Sequence, residues 1–129
     1  MNPEKLLSKH SLDNGLTLNL WDCSRPVAGD RWYVALEARI AIPVNQDTLP
    51  PELRREAAAV AAALGPQLIF SQRDERNFIA AQEVPDLLKE MATRALDLAG
   101  HYFGHPDFPK KLVRQKYAQH LARRRGEGF

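Results

Sequence analysis

The chain has 129 residues, of which 44% are hydrophobic and 26% charged, with a formal net charge of +2. That is the size and composition of one globular domain spanning 1–129, long enough to bury a core without help from a metal or a disulfide. The single cysteine, Cys23, excludes an intrachain disulfide and fits a reducing compartment, and the longest small-apolar run, Ala57 to Leu64, is far short of a bilayer. Met1 to Leu7 lacks the apolar stretch of a secretory signal, so a cytoplasmic protein with no membrane partner is expected.

The first third reads as β-structure. Asn14-Gly15, set between Leu12 and Leu16, predicts a hairpin closed by a type I′ turn. Leu16, Leu18 and Leu20 then alternate with Thr17, Asn19 and Trp21, so the leucines share one face of a strand. Asp22 to Arg31 reads as a loop from its Ser, Pro, Gly and Asp content. Trp32 to Val44 is the longest strand candidate. Trp32, Val34, Leu36, Ala38, Ile40 and Ile42 lie on one face, Tyr33, Ala35, Glu37, Arg39 and Ala41 on the other, and Pro43 ends the pairing.

The middle and the end read as helices around one more strand. Thr48 or Asp47 is placed to cap a helix beginning near Pro50-Pro51, with an apolar stripe through Leu53, Ala57, Val60, Ala61 and Leu64 and a stop at Gly65-Pro66. Residues 67–82 fit either two short strands flanking the mixed-charge turn Gln72-Arg73-Asp74-Glu75-Arg76 or, as favoured, one bent or bulged strand carrying that segment at a solvated edge. A helix over 84–103 has Pro85 at its start and a wide apolar face from Leu88 to Phe103. His105 to Pro109 forms a rigid linker. A basic helix over about 109–125 follows, stopped by Gly126, with Glu127 to Phe129 frayed. The order β-β-β-α-β-α-α favours an α+β fold, a three- to four-stranded, mainly antiparallel sheet with three helices.

Charge is distributed unevenly. Pro109 to Phe129 holds seven basic side chains, Lys110, Lys111, Arg114, Lys116, Arg123, Arg124 and Arg125, against one acid. The preceding 108 residues hold eleven basic against fifteen acidic. These cations can meet nucleic-acid phosphates or an acidic partner, or simply complement their own helix dipole. No aromatic RNA-reading motif or Gly-x-x-Gly loop accompanies them.

Other motifs are sparser. Trp21 and Tyr33 sit opposite the aliphatic faces of their strands, as interface anchors would. Arg25 and Arg31 bracket the Ser24–Arg31 loop, where guanidinium forks can take an anion. His101 and His105 are four apart, but position 102 is Tyr and a His-Glu-x-x-His motif is absent, so no metal is expected. Neither a nucleophile elbow nor a glycine-rich phosphate loop occurs, and Cys23 has no evident base partner except the distant His10. The string Leu12-Asp13-Asn14-Gly15-Leu16 is similar to the opening hairpin of some zinc-dependent processing peptidases, but the metal motif expected downstream is missing and no family is assigned from it. The sequence therefore leads to a small, non-catalytic, cofactor-free interaction module. Its partner is itself (as a homodimer or larger homo-oligomer) or another protein, with nucleic acid as the alternative through the basic helix and a small ligand or anion, bound or turned over at the Ser24–Arg31 loop, as a third reading.

Overall fold

The computed structural model describes residues 4–127, apart from the side chain of Glu127. It is an α+β fold with a five-stranded antiparallel sheet. The strands are β1 (Lys5–Ser11), β2 (Thr17–Asp22), β3 (Arg25–Ala28), β4 (Arg31–Pro43) and β5 (Gln67–Ala80). The helices are α1 (Ala57–Leu64), α2 (Val84–Leu98) and α3 (Phe108–Glu127). By internal packing the chain forms two compact units, residues 1–40 with 70–104 and residues 41–69 with 105–129. Among the described residues no helix is long and apolar enough to cross a membrane.

The first unit is organised by β4. Strand β2 pairs with it from Leu18↔Ile40 to Asp22↔Leu36, and β3 continues in the same register with Arg25↔Tyr33. Between them the Cys23 amide donates to the Ala35 carbonyl at 2.9 Å, and the Ala35 amide donates to Ser24 Oγ at 3.0 Å. The segment read as a loop is thus a fifth strand, and the connection shrinks to the two-residue turn Gly29-Asp30. Gly29 has a φ of 57°, while Asp30 stays out of the left-handed region, which is the type II′ pattern. Composition suggested a loop because Pro26 and Gly29 break runs, yet Pro26 lies at the end of the sheet, where a missing donor is tolerated.

The first hairpin is present with a different turn. Gly15 N–H donates to Leu12 O at 3.0 Å, Leu12 N–H donates to Leu16 O at 2.8 Å, and only Gly15 has positive φ, at 88°. This is a three-residue Asp13-Asn14-Gly15 loop with a glycine bulge, not a type I′ turn. Asn14 is held instead by its side chain, which donates to the Phe103 carbonyl at 2.8 Å and accepts from the Leu16 amide at 3.1 Å.

Residues 67–80 form one strand, β5, paired with β4. Within it Phe78 has a φ of 59°, which is unusual for a residue with a bulky side chain. The alternation in β2 and β4 sends Leu18, Leu20, Val34, Leu36, Ala38 and Ile40 to one face, all buried. The same unit also buries Met91, Ala99 and Phe103, and the Phe70 and Phe103 rings pack 5.3 Å apart.

The helix read as continuous over 84–103 is α-helical only to Leu98, and Ala99–Phe103 forms a π turn. In an unbroken α-helix Phe103 would lie about 120° around the axis from Met91. The π turn amounts to one inserted residue and returns about 100° of that offset. Phe103 is accordingly 1% exposed while Tyr102 is 50% exposed. The wide turn closes with the Gly104 amide donating to Ala99 O at 2.9 Å.

The second unit is built around Leu49, Val60, Val113 and Tyr117, with Val44, Leu53, Ala57, Ala63, Leu64 and Leu68 packed against them. Residues 51–56 form a 3₁₀ turn before α1, and no side chain caps it. Thr48 acts upstream instead. Its hydroxyl donates to Pro43 O at 2.6 Å and accepts from the Asn45 amide at 3.0 Å. Strand β4 is thereby tied off where its last proline ends pairing. Helix α3 runs through Gly126 to Glu127, beyond the stop expected at Gly126, and residues 128–129 of the expected frayed end lie outside the described residues.

Gly104 yields a direct test. A Cβ there would stand 2.8 Å from the Ala99 carbonyl oxygen, whereas one at Gly100 meets nothing within 4 Å. Gly104→Ala is expected to destabilise by about 1–3 kcal/mol through overpacking. Gly100→Ala should be neutral or stabilising by up to about 1 kcal/mol. Urea denaturation of the two variants checks the contrast, and equal midpoints would contradict it.

Candidate functional site

The face of the sheet opposite the buried aliphatics collects most of the functional side chains in the first unit. Trp21 and Glu37 are direct cross-strand partners, as are Asn19 and Arg39, and as are Arg25 and Tyr33. Leu6 is paired with Trp21 across β1 and is 41% exposed. Trp21 and Tyr33, expected as interface anchors, therefore do share a face, and both are half-buried.

A network of charges ties these residues together. Glu37 accepts from Arg39 Nε at 2.8 Å through one carboxylate oxygen and from Arg73 Nη2 at 2.6 Å through the other. Arg39 also reaches Glu4 at 2.8 Å and lies over the Trp21 ring, 4.9 Å from its centroid. Arg73 donates to Tyr33 Oη at 3.2 Å, and Tyr33 Oη donates to Glu75 at 2.5 Å. Arg25 lies over the Tyr33 ring at 5.1 Å. The side chain of Asn19 adds a buried oxygen with no donor among the described residues.

The electrostatics follow from this geometry. Hydrogen bonds from Arg39 hold the Glu37 carboxyl below its ordinary pKa, against the opposing push of burial, with Arg73 assisting. Arg39 and Arg73 are held above theirs, Arg39 by Glu37 and Glu4, Arg73 by Tyr33 and Glu37. Cys23 sits within reach of the same charges, and desolvation with the Glu4 charge pushes its thiol upward. It is thus a protonated thiol at neutral pH and a poor nucleophile. His10, its only sequence candidate for a base, is hydrogen-bonded to Ser8 Oγ at 2.8 Å.

The two arginines expected to take an anion are each engaged by a ring. Arg31 lies 5.7 Å from the centroid of Phe78 and 3.6 Å from the Asp30 carboxylate, and Arg25 covers Tyr33 as above. The histidines show no metal geometry. His105 Nδ1 accepts the Asp107 amide at 3.0 Å, and no group of three or more His, Cys, Asp or Glu able to hold a metal occurs among the described residues.

In the second unit the cations of α3 divide into two sets. Arg114 is paired with Glu52, and this contact raises the arginine and lowers the carboxyl. Lys110, Lys111, Lys116, Arg123, Arg124 and Arg125 have no carboxylate partner among the described residues. Lys110 and Lys116 are partly covered, whereas everything from Leu121 to Gly126 is exposed. Tyr117 stacks on His120 at 6.5 Å, and a groove of about 380 Å³ runs between that pair and Ala59, Ala62 and Ala63 of α1.

Trp21, Tyr33 and Arg25 could be picked out from the sequence, and Arg73 and Glu75 only as part of a mixed-charge strand edge, whereas Glu4, Glu37 and Arg39 were not singled out. The alternation in β4 did point Glu37 and Arg39 to the Tyr33 face. What it lacked was the registers that bring Glu4 from β1's flank and Arg73 from β5. Comparison of the chain with protein families, with curated proteins and with solved structures finds no match.

Glu37 sets an acid limit that can be measured. Its folded pKa is lowered, so its contribution is complete above the ordinary value of 4.5 and is lost as pH falls through the folded value. Its side chain is only 14% exposed, so Glu37→Gln should cost about 1–3 kcal/mol at neutral pH. That gap should narrow progressively in urea titrations as pH falls below 4.5. A gap independent of pH would show that the carboxylate charge is not what Arg39 and Arg73 respond to.

Proposed function

We propose that this protein is a non-catalytic interaction module that self-associates through the Trp21–Tyr33 face of its sheet. The observation that carries the reading is the composition of that face. Three arginines (Arg25, Arg39, Arg73) and three glutamates (Glu4, Glu37, Glu75) surround two aromatic rings and the exposed Leu6. Trp, Tyr and Arg are the side chains that dominate binding energy at interfaces. The mutual ion pairs hold them in place beforehand, so less side-chain entropy remains to be lost on docking. The face carries both signs in near balance, with Lys9 beside Asn19 adding one exposed cation, so it offers a polyanion little net attraction. A two-fold copy of itself, by contrast, can set opposite charges against each other. Sedimentation equilibrium should give a mass that rises with concentration, and Trp21→Ser should weaken association at least tenfold. A monomer mass up to millimolar concentration would end this reading.

The basic end of α3 supports a second, separate activity: contact with a polyanion such as nucleic-acid phosphate. The favouring observation is that Arg123, Arg124 and Arg125 are exposed and lack carboxylate partners among the described residues, unlike Arg114. Truncating the helix is a poor test, because Val113 and Tyr117 belong to the second unit's core. Replacing the three arginines with glutamine leaves that core intact. Binding to generic single-stranded RNA should then fall at least tenfold, and its logarithmic salt slope should drop by about 2. An unchanged slope would place the contact elsewhere.

A further inference from the structure

On the other face of the same sheet lies a half-open cleft of about 210 Å³, lined by β4, β5, α2 and the π turn. Its apolar wall is Leu36, Ala38, Met91, Ala95, Leu98 and Phe103, and its polar rim is Gln72, Arg73, Asp74 and Arg94. We propose that this cleft binds a small monocarboxylic acid whose apolar body is a single ring or a short chain.

Size and chemistry lead to that class. A dry cavity of about 150 Å³ accepts a benzene molecule, so a volume of about 210 Å³ takes one ring or a short chain with a head group. The polar rim decides what that head group is. Arg73 is committed to Glu37 and Tyr33, and Asp74 to Arg76 at 2.6 Å. Arg94 is different: its contact with Glu90 is 3.9 Å, outside hydrogen-bonding distance. Its guanidinium therefore retains its donor fork, which matches a planar carboxylate. The Gln72 amide has no partner among the described residues and stands on the same rim as an additional donor. One cation held only by a 3.9 Å ion pair and one amide suit a monoanion. A phosphate, with about two charges and three acceptor oxygens, calls for more donors.

The π turn is the second observation. It is what rotates Phe103 into the floor of the cleft, and it is fixed by Gly104, which cannot carry a Cβ without meeting the Ala99 carbonyl at 2.8 Å. Such turns are rare and recur at functional sites, where they re-aim a side chain. A continuous helix would have closed the same sheet face with less irregularity. The proposal concerns the face opposite Trp21 and Tyr33 and does not depend on self-association.

Benzoate and hexanoate serve as probes, with benzyl alcohol as the uncharged control. Titration followed by amide chemical shifts should show saturable changes at Leu36, Ala38, Gln72, Arg94 and Ala95 with at least one acid. Benzyl alcohol should bind at least tenfold more weakly. Arg94→Gln, an exposed substitution, should lower acid affinity at least tenfold with no change in the denaturation midpoint, and Ala95→Phe should abolish binding by filling the cleft. Four results would each overturn the proposal: no saturation with either acid at millimolar concentration, equal binding of benzyl alcohol, an unchanged Arg94→Gln variant, or shifts confined to residues outside the cleft.

Discussion

The period of two along β4 is the constraint from which the first unit follows. A 13-residue strand paired with β2 and β3 and with β5 has only its two faces left for side chains. Its even-numbered residues are given over to burial: Val34, Leu36, Ala38 and Ile40 are at most 5% exposed. Its odd-numbered residues, Tyr33, Glu37 and Arg39, must then share the opposite face, and the cross-strand register supplies Trp21, Arg25 and Arg73 beside them. A slip of one residue would exchange the two sets, placing a Glu–Arg network in the core and four aliphatics in water. The charge network is thus a by-product of the same alternation that makes the core.

How much of this was legible depends on how local the cause is. The Asn14-Gly15 hairpin, the alternation in β2 and β4 and the existence of the three helices could be read because each is set by neighbours within a few residues, whereas the charged segment Arg73-Asp74-Glu75-Arg76 left both one strand and a hairpin over 67–82 compatible with the local pattern. The type of the first turn could not be read, since Asn14 is fixed by the Phe103 carbonyl, 89 positions away. Strand β3 was hidden for a similar reason. Arg25-Pro26-Val27-Ala28 has loop composition, and it is the β4 ladder, with Ser24 Oγ bridging the break, that makes it extended. The π turn left no trace in the periodicity, because Tyr102 and Phe103 are both aromatic and either would have served an apolar stripe. Only the packing of Phe103 on Phe70 shows which was chosen.

The charge asymmetry seen along the chain persists in the folded units. The unit made of 41–69 and 105–129 carries nine basic and five acidic side chains, and the other unit nine and eleven. What differs is use as much as number. In the first unit arginines are consumed pairwise by glutamates on the sheet face, at distances of 2.6–2.8 Å. In the second, apart from Arg114, the cations of α3 are presented without carboxylates among the described residues. Two surfaces of different chemistry result, one self-neutralised and aromatic, one net positive and helical.

The lone cysteine has a practical meaning. Cys23 is half-buried at the break between β2 and β3, and its proton is retained because desolvation and the Glu4 charge oppose its loss. Alkylation and disulfide exchange proceed through the thiolate, so this sulfur reacts slowly at neutral pH. A second cysteine engineered onto the surface would therefore take up a fluorophore or spin label well ahead of the native one. The protein is, in effect, already prepared for selective labelling without first deleting its own sulfhydryl.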